Sequence, residues 1–301
     1  INIKEKVYNL LRFYLGGFIV KIKIFSFSKF ICAFVILIIL LVIGFSIVIA
    51  NTEDYVEVPI IMYHSILKDA SRSNKYTITP TVLEEDLKYL KDNGYTTITI
   101  SDLIAYVYDD ESLPPKPIIL TFDDGHYNNY GYLFPLLEKY DMKAVISIVG
   151  AYTDKFTKTD EANLNYSYLR WKDIKELIDT GRIEFQNHTY DLHHSNGKRI
   201  GTKKIKGESS ENYRLVLEED ILKLQNEFKD NTGYTPQCFT YPFGGVSKES
   251  LDIIKELGFK ASLSCEEGIN KLTKNPNSLY LLKRFNRPSY ISTYNFFQKI
   301  N

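Results

Sequence analysis

The sequence predicts an α/β fold, a parallel (β/α) barrel of about eight units, preceded by one transmembrane helix. Three observations predict it. From Pro59 to the C-terminus, apolar runs of strand length alternate with amphipathic stretches of helix length. About eight such runs over roughly 245 residues match the size and rhythm of a closed parallel barrel, although an open doubly wound sheet would alternate in the same way. Finally, Phe30 to Ala50 contains no charged residue, and at 1.5 Å per residue that run reaches roughly 30 Å, one bilayer core.

The N-terminal organisation follows from charge. Lys4, Lys6, Arg12, Lys21, Lys23 and Lys29 precede the apolar run against the single Glu5, whereas Glu53, Asp54 and Glu57 follow it. The positive-inside bias puts residues 1–29 in the cytoplasm, 30–50 across the membrane, 51–58 in a polar tether and 59–301 in an extracellular domain. A secreted form released by signal cleavage is the rival reading. The apolar run is longer than a usual signal core, and Ile47-Val48-Ile49-Ala50 is a poor cleavage site. The first methionine is Met62, so the start of the natural chain is left open. Lysine and arginine together equal aspartate and glutamate at 37 each, which argues against a nucleic-acid partner. Three cysteines, Cys32, Cys238 and Cys265, make no disulfide framework.

Along the outer domain, Pro59 to Tyr63 reads as a buried strand ending at His64. A helix begins at Thr81 with Leu83, Leu87 and Leu90 on one face, and Gly94 closes it. Thr96 to Ile100 is strand-like, with Ser101 capping a short helix after it. Pro117 to Phe122 is a strand, Leu133 to Tyr140 a helix and Ala144 to Val149 a strand. Trp171 to Ile178 is a helix and Ile183 to Asn187 a strand. Residues 195–210 form a mobile insertion. A long helix carries Leu217, Ile221, Leu224 and Phe228 to Gly233. Cys238 to Tyr241 is a strand, Leu251 to Leu257 a helix, and Phe259 to Leu263 and Tyr280 to Phe285 are the last strands.

Chemistry concentrates where the third of these strands ends, at Asp123-Asp124-Gly125. Neighbouring carboxylates on an extended chain point apart, so they divide labour rather than share a proton. Of the five histidines, His64, His126, His188, His193 and His194, four follow predicted strand ends, the face of a parallel barrel where active sites gather. His188 and His193 are spaced for a tight loop that folds two imidazoles onto one ion, with His194 as the alternative second ligand. Together with Asp124 they offer an N, N, O set that leaves room for water, the donor pattern of a catalytic zinc-like site. A cation so held brings water's pKa from 15.7 toward about 7. Asp123, kept ionised nearby, is then the general base.

Thr121-Phe122-Asp123-Asp124-Gly125, Asn187-His188-Thr189-Tyr190-Asp191-Leu192-His193 and Phe239-Thr240-Tyr241-Pro242-Phe243-Gly244 resemble, in that order, three motifs of the polysaccharide deacetylase family, the NodB homology domain or carbohydrate esterase family four. The resemblance runs from about Val58 to the C-terminus. It implies a metal-dependent hydrolase that removes acetyl groups from a glycan, on a distorted (β/α) barrel. It also implies one divalent ion, zinc with cobalt, nickel or manganese as alternatives, held by Asp124, His188 and His193. Asp123 matches the base, and the backbone N–H of Phe243, after Tyr241 and Pro242 on the substrate side, matches the oxyanion donor. Two departures stand out. The arginine that orients the base in the family falls at Thr240, leaving Arg284 or Arg287 to supply the charge, and no histidine follows His194 to serve as the late general acid. Ile61-Met62-Tyr63-His64-Ser65-Ile66 resembles the start of a subgroup that includes biofilm poly-N-acetylglucosamine deacetylases, in which an early histidine takes that place. His64 is therefore the expected acid.

The leading expectation is a membrane-anchored extracellular enzyme that removes N-acetyl groups from a cell-surface or cell-wall glycan. An O-acetyl esterase with the same site, or an inactive glycan-binding protein on the same scaffold, are the alternatives. Tyr63, Tyr190, Tyr241 and Phe243 flank the motifs as candidates to line a sugar groove. The insertion 195–210 and the loop 150–168 are expected to shape it.

Overall fold

A computed structural model describes residues 14–15, 18–19, 31–41, 55–195 and 197–300. The chain divides into Ile1–Asp54 and Tyr55–Asn301. In the first unit, Tyr14–Leu15 pairs antiparallel with Phe18–Ile19, and residues 31–41 form a helix whose side chains are all exposed. No helix among the described residues is long and apolar enough to cross a membrane. The helix covers part of the span expected at 30–50, and the rest of that span, together with the expected cytoplasmic segment except its two strands, lies outside the described residues.

The second unit is built on seven strands: β1 (Ile60–Tyr63), β2 (Pro117–Asp124), β3 (Ala144–Ile148), β4 (Ile183–Asn187), β5 (Cys238–Thr240), β6 (Ala261–Leu263) and β7 (Phe285–Asn286). Their order is β6-β5-β4-β3-β2-β1-β7, with every neighbouring pair parallel. Successive strands lie side by side, and the last lies beside the first. The two edges also meet: Leu263 bridges Leu282, with Leu282 N–H donating to Ser262 O at 2.8 Å and Ser264 N–H to Leu282 O at 2.9 Å. The sheet is thus curled into a distorted barrel, and the open-sheet alternative fails. The expected strand at Thr96 to Ile100 shrinks to Thr96–Thr97 beside the start of β2. Thr99 instead caps the helix Ile100–Tyr108 in a reciprocal box with Asp102, so the cap lies two residues before the expected Ser101.

Helices flank the strands. They are α1 (Pro80–Asp92), α2 (Ile100–Tyr108), α3 (Phe134–Tyr140), α4 (Gly150–Thr159), α5 (Trp171–Asp179), α6 (Ser210–Thr232), α7 (Lys248–Glu256) and α8 (Thr293–Phe297). Thr79 caps α1 by accepting from Val82 N–H, with Pro80 at the first turn where its missing donor costs nothing. Alternate residues of each strand enter different cores, which explains why the runs are continuously apolar. Leu120, Phe122, Ile146, Ile148 and Phe185 pack outward under the helices. Ile60, Ile119, Val145, Cys238 and Ala261 pack inward with α2 residues Ile100, Leu103 and Ile104. Nearer the strands' C-terminal ends the inward positions turn polar, with Thr121, Ser147, Gln186 and Thr240 all buried. All three cysteines are free.

Candidate active site

The motif residues sit on turns at the C-terminal ends of β2, β4 and β5. Strand alternation alone would turn Asp123 and Asp124 to opposite faces. Asp124 breaks it by adopting the left-handed conformation, φ 74°, which aspartate tolerates better than most residues. Both carboxylates consequently line one cavity. Gly125 follows at φ 74°, and a Cβ there would stand 2.8 Å from Ile148 Cγ2, so glycine is required on both counts.

Asp123 is 2% exposed and Arg284 is fully buried. The guanidinium grips the carboxylate in bidentate fashion, Nη1 to Oδ1 at 2.7 Å and Nη2 to Oδ2 at 2.9 Å. Arg284 Nε donates to Ser264 O at 2.8 Å, which fixes the fork. Burial pushes Asp123 up, but Arg284, and then His188 and His64, outweigh it and hold the carboxyl below its ordinary value. Thr240 supplies no charge; its hydroxyl lies 2.7 Å from Ser147 Oγ. Arg287 turns elsewhere, binding Asp86 through Nε at 2.8 Å and Nη2 at 3.0 Å. Of the two candidates for the missing motif arginine, Arg284 is the one that reaches Asp123.

One donor atom from each of Asp124, His188 and His193 lies within 4.8 Å of the others. His194 is not in this group; its Nδ1 lies 3.0 Å from Asp191 O on the same loop. The donor chemistry fits a cation. His188 Nδ1 is 2.8 Å from Thr240 O, which can only accept, so Nδ1 carries the proton and Nε2 keeps its lone pair. That lone pair lies 3.7 Å from Asp124 Oδ1. Oδ1 is buried and has no hydrogen-bond partner, although His193 Nε2 lies 3.1 Å away. Electron-rich atoms that converge where solvent reaches them only in part are stabilised by positive charge among them. Burial pushes the His188 imidazole down to about 4, which keeps it a neutral donor. Asp124 is held well below the ordinary carboxylate range because His126 and His193 outweigh its burial.

A family model for polysaccharide deacetylases matches residues 110–262, the stretch that holds Asp123, Asp124, His188, His193 and Phe243. The chain belongs to the polysaccharide deacetylase family. Over 227 residues it is 23% identical to the poly-β-1,6-N-acetyl-D-glucosamine N-deacetylase of Escherichia coli K12, covering 69% of this chain and 34% of that protein. It is 26% identical over 206 residues to the enzyme of the same description from Staphylococcus aureus N315, covering 68% and 66%. The chain thus spans about a third of the first relative's length and just under two thirds of the second's. The solved de-N-acetylase of Aggregatibacter actinomycetemcomitans shares the fold with a TM-score of 0.67 at 24% identity, over 81% of this chain and 98% of that one.

In this family member the acids and imidazoles line a cavity of about 530 Å³ that also includes Met62, Lys75, Tyr76, Phe243, Cys265, Glu267 and Asn286. A second of about 310 Å³ adjoins it through His64, Tyr76 and Asp124, and Asn165, Tyr166 and Tyr168 of the expected groove loop line its far side. His64 borders both. Its Nδ1 is buried without a partner, its ring meets Tyr76 edge-on at 4.8 Å, and burial lowers its pKa. His126, for which the motifs imply no role, has Nε2 3.4 Å from Asp124 Oδ2 and stacks on Tyr168 at 4.7 Å. Its place directly after Asp-Asp-Gly was the available signal.

The aromatic expectations need correction. Phe243 is 49% exposed and packs 4.6 Å from the His193 ring, and Tyr76, which lies outside the motifs, is 48% exposed. Tyr241 is fully buried, edge-on to Phe239 at 4.9 Å, so its ring and the buried Pro242 prop the turn instead of lining the groove. Tyr63 points outward to Asp86 and Tyr190 to Asp154. The insertion expected to be mobile is tied down: Thr202 Oγ1 donates to Gly245 O at 3.0 Å and Gly201 N–H to His194 O at 3.0 Å. It braces the Pro242–Gly244 turn against the histidine loop.

Proposed function

We propose that the second unit is a metal-dependent hydrolase that removes N-acetyl groups from an N-acetylglucosamine-type glycan. The observation that carries this reading is the convergence of Asp124, His188 and His193 beside an arginine-held Asp123 in one open cavity. Asp124, His188 and His193 would hold one divalent ion, with zinc suited to the N, N, O set and cobalt, nickel or manganese as alternatives. Such an ion supplies Lewis acidity and brings water's pKa toward about 7.

The chain's own groups do the rest. Asp123 takes the proton of the water whose oxygen attacks the acetyl carbon, and Arg284 keeps it ionised and aimed. The backbone N–H of Phe243 donates to the carbonyl oxygen as negative charge develops there. His64 gives a proton to the nitrogen as the carbon–nitrogen bond breaks, leaving acetate and a free amine; burial weakens its hold on that proton. The exposed rings of Phe243 and Tyr76 offer apolar faces for the sugar. The names of the E. coli and S. aureus relatives support a β-1,6-linked N-acetylglucosamine polymer as the substrate. The uncharged run at residues 30–50 supports a single-pass anchor, N-terminus in the cytoplasm and enzyme outside.

Acetate release from N-acetylated and O-acetylated glycans, measured with and without chelator and after restoring Zn²⁺, tests the reading. Release from N-acetylated polymer that stops with chelator and returns with metal is expected. Release indifferent to chelator overturns the metal role, ester-only release overturns the N-deacetylase assignment, and no release from any glycan points to a binding protein.

A further inference from the structure

The loop that carries both imidazoles is held from outside the site. Thr189 lies at φ 75°, a conformation that costs a β-branched residue about 1–3 kcal/mol and persists only when its surroundings impose it. Its hydroxyl is buried and has no partner. Asn187 Oδ1 accepts from Thr189 N–H at 2.9 Å, the Gly150 and Ala151 amides that open α4 donate to Thr189 O at 3.1 Å and Tyr190 O at 2.8 Å, and α6 holds the other side of the loop. Asp220 Oδ1 accepts from Tyr190 N–H at 2.7 Å and Oδ2 from Asp191 N–H at 2.8 Å. Two successive backbone amides thus close on one carboxylate, as they would on a bound anion. Asn187 Nδ2 adds a bond to Ile221 O at 3.1 Å, so the start of the loop is tied to the same helical turn.

We infer that Asp220 is a positioning residue: by clamping the Tyr190 and Asp191 amides it pre-forms the His188–His193 loop, so that both imidazoles face Asp124 before any cation arrives. Asp220 touches neither imidazole, and its effect passes through the backbone between them. Burial raises its pKa to about 6, and the bonds from the Asp191 and Tyr190 amides oppose that rise, so a partly desolvated carboxylate is retained here. An amide cannot replace it, because the NH₂ of asparagine would face a backbone N–H, donor against donor.

This inference rests on the metal reading for its consequence but not for its geometry, and the test separates the two. Asp220→Asn is expected to bind Co²⁺ about 10–100-fold more weakly than the wild type, as titrated by the ion's absorption. Asp173→Asn, which weakens the more deeply buried pair that Asp173 on α5 makes with Arg170, should lower melting temperature and leave Co²⁺ affinity unchanged. In metal-free wild-type protein the Tyr190 and Asp191 amides should already exchange as slowly as those of β4, and Asp220→Asn should release them. Free exchange of those amides in the metal-free wild type overturns pre-formation. Unchanged Co²⁺ affinity in a folded Asp220→Asn protein overturns the positioning role. If Asp220→Asn does not fold, wild-type exchange decides. If the wild type binds no Co²⁺ yet protects both amides, the metal reading fails and the clamp stands.

Discussion

Replacing Arg284 by Met tests how this site keeps its base ionised. Arg284 is 0% exposed and Asp123 2%, and the two bonds between them are 2.7 and 2.9 Å. Removing one partner of such a pair leaves a buried charge uncompensated and costs about 3–5 kcal/mol. For a domain of this size that lowers the melting temperature by roughly 6–20 °C. Wild-type Asp123 is held below its unfolded value of about 3.9, so its stabilisation is complete above that pH and is lost as pH falls through the lower folded value. In Arg284→Met, burial acts with less opposition and the folded carboxyl rises past its unfolded value. Stability contributed by Asp123 then falls as pH increases, and the acid limb of kcat/KM moves up with it. Thermal melts across pH and the pH profile of acetate release measure both effects. Arg284→Met combined with Asp123→Asn should recover much of the stability without recovering activity. A single variant that melts within about 2 °C of the wild type, with its acid limb in place, would refute the reasoning.

His64→Ala should depress kcat by about 10²–10⁴-fold while metal content stays near normal; loss of bound metal would move His64 into the ligand set. Gly201→Ala introduces a Cβ 2.6 Å from Pro242 O at a φ of 52°, so it should destabilise by about 1–3 kcal/mol and lower kcat by displacing the Phe243 amide. Metal affinity measured on the same variant should be unchanged, and an unchanged kcat would detach the insertion from the turn it braces.

Much of this arrangement was legible because periodicity and strand-end chemistry report burial directly. The short apolar run before Asp123 reads as a strand buried on both faces, and the helix positions Leu217, Ile221, Leu224 and Phe228 are all fully buried. The separation of Arg284 from Arg287 was not legible. Both follow β-strand-like residues, both are buried and both bind a carboxylate in bidentate fashion. Only the closing bend of the chain, with Leu281 at φ 56° and Leu282 bonded to β6, sets which one enters the barrel. Tyr241 misled for a related reason: a tyrosine beside a motif is as apt to fill the core behind a turn as the groove in front of it.

The same physical fact underlies the site and the limit on reading it. Each motif turn contains a non-glycine residue at positive φ: Asp124 at 74°, Thr189 at 75° and Phe243 at 55°. Aspartate accepts that conformation readily, whereas threonine and phenylalanine do not, so local propensity opposes two of the three turns. What imposes them is partly local, Asn187 Oδ1 accepting from Thr189 N–H at 2.9 Å, and partly remote: the Asp220 carboxylate on the next two amides, Gly150 N–H on Thr189 O, and Gly201 and Gly245 packed without side-chain bulk around Pro242 beside the Thr202 bond to Gly245 O. Relaxing either turn to an ordinary conformation would be locally favourable, and it would redirect His193 or the Phe243 amide. The strain therefore persists because helix α6 and the insertion, together with Asn187 and the start of α4, outweigh it, and elements that carry none of the motifs thus help to determine whether the motif residues meet.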